Sequence, residues 1–225
     1  MTRYVLRDDL SYCRVDGRLI FLDVGNDRYF QLPYPMEQAL SAHLDGGECP
    51  DPDIRKLVEH HILVEQTQSV VSSNPSIEPV AHSAMETSLP SRDLRAYELM
   101  EVFAIVLITR MRLKIFTLKN ILDGLAADRY IQLAGTKPLA ELPEQHLSDA
   151  AATFRRARLY VPIEMRCLLD SIAMARFLLR RRIHAHIVFG IALDPFSAHC
   201  WVQVGDLVLN DTVGNATSHT PIRVV

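Results

Sequence analysis

Cysteine is scarce in this chain, and its few copies are badly spaced for structural work. Cys13, Cys49, Cys167 and Cys200 form no C-x-x-C pair, which speaks against a structural zinc site and a disulfide framework and fits a reducing compartment. No sign of charge prevails: 24 basic against 27 acidic side chains leave a net charge of -3. That balance gives no reason to expect nucleic acid or an anionic membrane as the main partner. Long apolar runs are missing as well. The longest, Val102 to Ile108, stops at Thr109-Arg110 and falls short of the ~20 residues of a membrane-spanning helix, so a buried helix is expected there. The start, MTRYVLRDDL, lacks the basic residues and apolar run of a signal peptide, and a cytoplasmic location is expected. What remains is an ordinary globular composition, 48% hydrophobic and 23% charged over 225 residues, enough for one large or two small domains.

Residues 3 to 32 alternate as strands do. Tyr4 and Leu6, then Ile20, Leu22 and Val24, then Tyr29 and Gln31 are separated by the turn signals Asp16-Gly17 and Gly25-Asn26-Asp27, so three antiparallel strands are expected. After Pro33 and Pro35 the spacing becomes helical. Met36, Ala39, Leu40 and Leu44 mark one helix ending at Gly46-Gly47, and Ile54, Leu57 and Val58 a second, with Ile62 to Glu65 returning as a strand or helix end. Residues 1–66 thus read as a small βββαα module. Residues 67–92, rich in Ser, Thr and Pro, read as a flexible linker.

The third part, 93–225, opens with helical spacing at Leu94, Tyr97, Met100, Phe103, Val106, Met111 and Ile115, followed by a shorter helix stopping near Gly124 or Asp128 and a loop over 129–143. Another helix is expected from Glu144 to Leu159, with Leu147, Ala150, Ala151, Phe154 and Ala157 inward. Ile163 to Arg182 reads as helix. His186 to Leu193, Ala198 to Val204 and Leu207 to Asp211 read as strands broken at Asp194-Pro195 and Gly205-Asp206.

Chemistry concentrates between Met165 and Thr212. Cys167 lies in the first turns of a helix, where exposed amides favour thiolate over thiol. His199 follows on one strand and Asp211 at the end of another, the order of nucleophile, base and orienting carboxylate that a thiol hydrolase or acyltransferase uses. The hairpin sets a condition. A strict two-residue loop at Gly205-Asp206 places Asp211 opposite Cys200, facing away from the histidine, whereas an odd, three-residue loop brings it beside His199. An odd-length loop is therefore expected. Each residue also has a plain structural reading: buried free thiols are common, histidines are often satisfied core residues, and Asn210-Asp211 suits a strand-ending turn. Cys200, alternating away from His199, reads as packing. His184 and His186 flank Ala185 without a third ligand nearby, so no metal site is expected. His60-His61 reads as the end of a surface helix, and Arg180 to Arg182 as a solvated one.

The block CLLDSIAMARFLLRRRIHAHIVFGIALDPFSAHCWVQVGDLVLND resembles the B protein of lasso peptide biosynthesis, a transglutaminase-like cysteine protease that removes the leader from a ribosomally made precursor. MTRYVLRDDL and RLIFLDVGNDRYFQLP are similar to the leader-recognition element of peptide-modifying systems and to the small peptide chaperone of the pyrroloquinoline quinone pathway. The resemblance implies an α+β fold: a winged-helix-like module over 1–66, then a transglutaminase-like, papain-like peptidase domain over 93–225. It places the nucleophile on Cys167, the histidine on His199 and the acid on Asp211. It departs at Cys200, where the family has a small residue, and at Gln203, where an acid is common. It implies the precursor's leader as a bound partner, an ATP-dependent asparagine-synthetase-like cyclase as the next enzyme, and no cofactor. Two other functions share these features: a transglutaminase- or acetyltransferase-like acyltransferase, and a non-catalytic chaperone for a precursor peptide.

Overall fold

Arg7-Asp8-Asp9 cuts the first alternating stretch in two in the computed structural model, which describes residues 4–46, 51–65, 77–87, 93–134 and 143–225. Where one strand was expected there are two, β1 (Tyr4–Leu6) and β2 (Leu10–Val15), because the Leu10 amide bonds back to the Arg7 carbonyl and closes a turn. Asp16 and Gly17, with φ of 49° and 76°, make the tight hairpin from β2 to β3 (Arg18–Asp23), and the next turn leads to β4 (Arg28–Gln31) in antiparallel order. Positive φ at both central residues matches the right-handed twist of the strands.

Helix α1 (Tyr34–Leu44) ends at Gly46, whose φ of 75° stops it. Then come α2 (Asp51–Glu59) and β5 (Leu63–Glu65). β5 pairs with β1, away from the β2-β3-β4 sheet. Leu19, Phe21, Leu40, Leu57 and Leu63 form the core of this unit. Buried Glu37 of α1 ties helix to sheet, accepting from the Leu19 amide and the Arg18 guanidinium.

The chain divides into two units, Met1–Asn74 and Pro75–Val225. The linker expectation fails in part. Residues 77–87 belong to the second unit, where β6 (His82–Ser83) forms an edge strand and Ala84 is fully buried. Backbone bonds to Asp206 and Val208 hold the segment, so its Ser and Pro content reflects an edge and not a tether. Residues 67–76 and 88–92 lie outside the described residues.

Helices α3 (Ala96–Ile115), α4 (Leu118–Ala134), α5 (Glu144–Arg158) and α6 (Cys167–Leu179) follow. α5 buries the five residues its spacing marked. α3 does not: Val102, Ile105, Val106 and Thr109 face inward, while Tyr97, Met100, Phe103, Met111 and Ile115 are exposed. With apolar residues on nearly every side, periodicity could not choose a face, and packing against α5 and α6 did. α4 runs through Gly124 to Ala134, past the expected stop; Ile121, Leu122 and Leu125 are buried, and Arg129 donates to the Ala185 carbonyl. The rest of the expected loop, 135–142, lies outside the described residues. α6 begins four residues later than expected.

The sheet of this unit has the order β10-β7-β8-β9-β6, built from β7 (His186–Leu193), β8 (Phe196–Val204), β9 (Leu207–Val208) and, after α7 (Val213–Thr217), β10 (Thr220–Val224). Only β6 to β9 is parallel. One face buries Val202 and Leu209 against α3, α5 and α6, and the other gathers Val188, Trp201, Val208 and Ala216. Among the described residues no helix is long and apolar enough to cross a membrane.

Candidate active site

The start of α6 is a fixed point. Arg158, 4% exposed, donates to Asp170 at 2.6 Å and to the carbonyls of Val161 and Glu164, clamping the connection from α5 onto the first turn of α6. Removing one partner of such a pair leaves a buried charge uncompensated. Arg158→Met is expected to cost about 3 to 5 kcal/mol in a denaturant titration, with the loss concentrated in this unit.

Cys167 is the first residue of α6, not a residue in its second turn, and it is exposed. No side chain caps the helix at Arg166, so the opening amides remain available to a negative charge. The thiol of Cys200 and the imidazole of His199 both donate to the Cys167 sulfur, and with the positive charge of His199 they outweigh burial and lower its pKa to about 4. The bond to Asp211, followed by that to Cys167, raises His199 to about 9. Both shifts favour a thiolate–imidazolium pair.

His199 Nε2 lies 2.5 Å from Asp211 Oδ2, which leaves Nδ1 as the nitrogen that serves the sulfur. The ring is flanked by Trp201, near-parallel at 6.2 Å between centroids, and by His219 at 5.3 Å. Gly190, its cross-strand partner, makes room: a Cβ there would meet Trp201 at 2.8 Å and His219 at 3.0 Å. Burial pushes Asp211 up, but the bonds from His199 and the Thr212 amide, the charge of His199 and the amide of Asn215 hold it below the usual carboxylate range.

The expected odd loop is wrong, and the carboxylate reaches the histidine by another route. Val204 pairs with Leu207, so Gly205-Asp206 is a two-residue turn, with Gly205 at φ 57° as a tight hairpin with glycine first requires. A ladder continued from there would turn Asp211 away. It does not continue: the Leu209 amide still bonds to the Val202 carbonyl, but the Val202 amide is taken by Asn210 Oδ1 at 2.7 Å. The Asn210 side chain replaces the backbone, and the chain swings out. Asn210 also donates to Ser171, which donates to the Cys200 carbonyl, pinning the turn to both α6 and β8. Asp211 then lands beside His199.

Cys200 also does more than its strand alternation suggests. Alternation does send it to the face opposite His199, but α6 lies on that face, so the thiol sits buried against Cys167 and its own pKa is raised by the Cys167 sulfur and by burial. Packing alone does not describe it. The rate of Cys167 chemistry is expected to plateau between limbs near 4 and 9, thiolate forming above the first and imidazolium lost above the second. In Cys200→Ala the lost donor moves the acid limb toward neutral pH, and Cys200→Ser, which can donate, moves it less; a pH profile of kcat/KM reads both.

Gln203 is fully buried. It accepts from the Trp201 indole at 2.9 Å and donates to the Glu78 and Gly205 carbonyls at 2.7 Å each, a pair of donations no carboxylate could make. His186 lies 3.2 Å from an Arg129 nitrogen, and burial followed by the Arg129 charge lowers both His184 and His186. His61, at φ 56°, closes α2. Arg181 is not merely solvated: it pairs with Glu101 at 2.7 Å and covers Phe177.

A family model described as the transglutaminase-like superfamily matches residues 111–224. Over 45 residues the chain is 49% identical to the microcin J25-processing protein McjB of Escherichia coli, a stretch covering 20% of this chain and 22% of that protein. The match thus spans about a fifth of the relative's length. No solved structure matches significantly.

Proposed function

The chain belongs to the transglutaminase-like superfamily, and on that premise we propose that it is a cysteine endopeptidase that removes the leader of a lasso peptide precursor. The observation that carries this reading is the contact of Cys167, exposed at a helix start, with a histidine whose far nitrogen is held by Asp211. The likeness to a microcin-processing protein supports a role in lasso peptide biosynthesis.

In the proposed mechanism the Cys167 thiolate attacks the last carbonyl of the leader. His199, protonated on Nδ1, gives its proton to the leaving amine and then takes one from water for deacylation, while Asp211 fixes the ring. The Cys167 amide, free of any intrahelical acceptor at the helix start, is the natural donor to the oxyanion. No cofactor takes part.

Residues 1–66 are read as a winged-helix-like leader-recognition element and 93–225, joined by 77–87, as the peptidase domain. β2 and β4 are the outer strands of the β2-β3-β4 sheet, and a leader adding to a sheet edge of this unit as an extra strand would gain main-chain bonds together with side-chain pockets. Such tethering raises the local concentration of the scissile bond, so the thiol site can be selective with few contacts of its own. The freed core would pass to an ATP-dependent, asparagine-synthetase-like cyclase in the cytoplasm.

The test is product identity. Incubating the full chain with the peptide of a small open reading frame beside its gene should yield free leader acid and free core. A leader joined to an added amine would mark an acyltransferase, and binding without turnover an escort.

A further inference from the structure

The Asp211 carboxylate is held by more than its histidine. Asn215, in the short helix α7, places its amide nitrogen 3.1 Å from Oδ1 and 2.9 Å from Oδ2 of Asp211, and 3.3 Å from His199 Nε2. With two carboxylate oxygens facing it, that atom is the NH2 end, since an amide oxygen there would be set against two acceptors. The Asn215 backbone is itself fixed, its N–H donating to Thr212 Oγ1, while the Thr212 amide holds Asp211 Oδ1 at 2.8 Å. Ser83 Oγ, from the edge segment, donates to the Asp211 carbonyl.

Asp211 needs these supports because it stands beyond the end of β9, where no ladder fixes its backbone and two side-chain torsions are free. A carboxylate that rotates about them loses its alignment with Nε2. We propose that Asn215 is a positioning residue of the active site, locking the plane of the Asp211 carboxylate against His199 and thereby sustaining the thiolate–imidazolium pair. This inference rests on Cys167, His199 and Asp211 being the working site, and its test is chosen so that the two can fail separately.

A competing effect has the opposite sign. A donor to a carboxylate drains its charge, so if Asn215 acted only in this way, its loss would strengthen the pull of Asp211 on His199 and favour the ion pair. Positioning predicts the reverse.

Alkylation of Cys167 by iodoacetamide in the full chain, followed by mass at the Cys167 peptide, needs no precursor. At pH 6 an ordinary thiol is almost wholly protonated, whereas Cys167, lowered to about 4, is thiolate while paired with His199. At pH 10 His199, raised to about 9, has lost its charge and the thiolate no longer depends on the pair. Asn215→Ala and the volume-preserving Asn215→Leu are expected to lower the rate at pH 6 about tenfold to a hundredfold and to leave the rate at pH 10 unchanged. Asn215 is exposed, so both variants should melt within a few degrees of the native chain. An unchanged or faster rate at pH 6 overturns the proposal, as do equal losses at both pH values, which mark a merely structural role. If native Cys167 reacts at pH 6 no faster than a free thiol, the active-site reading falls and this inference with it.

Discussion

Cys167→Ala should stop leader removal altogether while leaving leader affinity unchanged. The nucleophile of a covalent mechanism has no understudy, and deleting it costs about six orders of magnitude in kcat in comparable hydrolases. Here the nearest thiol, Cys200, is buried, and its pKa is raised by the Cys167 sulfur and by burial, so it cannot substitute. Binding should survive because the proposed leader contacts belong to the first unit, whose core of Leu19, Phe21, Leu40 and Leu57 contains nothing from α6. Precursor titration gives the affinity, and chromatography of overnight digests gives the turnover. Processing at the native rate would remove Cys167 from the mechanism.

Asp211→Asn should be the second most damaging change, lowering kcat by about three to four orders of magnitude. Nε2 of His199 donates to the carboxylate at 2.5 Å, which keeps Nδ1 turned to the sulfur. An amide can present its NH2 to the same nitrogen, and the neutral ring then carries its proton on Nδ1, where a base is wanted. The electrostatic loss adds to this. The bond to Asp211 is the largest influence raising His199 to about 9, so without it the alkaline limb falls toward the ordinary imidazole range and the pH plateau narrows from above. Single-turnover rates across pH separate the effects: a wrong tautomer lowers the plateau, and a lost charge shortens it.

Local chemistry was legible where one residue type has one use. Asp16-Gly17 announced its hairpin, β7 ran over its expected residues, and α5 turned inward the side chains its spacing named. Legibility failed where several solutions fit. α3 is apolar on most sides, so its buried face was settled by neighbours far away in sequence. Residues 77–87 look like a tether until β9 is present to pair with them.

The site is the most instructive case. Counting along a hairpin assumes that the ladder continues, and on that assumption Asp211 required an odd loop. The turn has two residues, and a single side chain, Asn210, ends the ladder early by occupying the Val202 amide. The plain reading of Asn210-Asp211 as a strand-ending turn and the reading of Asp211 as partner to His199 are therefore compatible, the first enabling the second. Alternation likewise placed Cys200 on the correct face, and only the position of α6 revealed that this face holds Cys167. Asn215 carries no sequence signal at all, since its use depends on how far α7 folds back over Asp211.

The most direct measurement is the intact mass of the protein quenched in acid during turnover of its precursor. An acyl-enzyme on Cys167 should add the mass of the leader less one water, should map to the peptide containing Cys167, and should accumulate in Asp211→Asn if deacylation is slowed more than acylation. Cleavage that proceeds with no adduct in any variant, or an adduct on another residue, would contradict the assignment of Cys167 as the nucleophile.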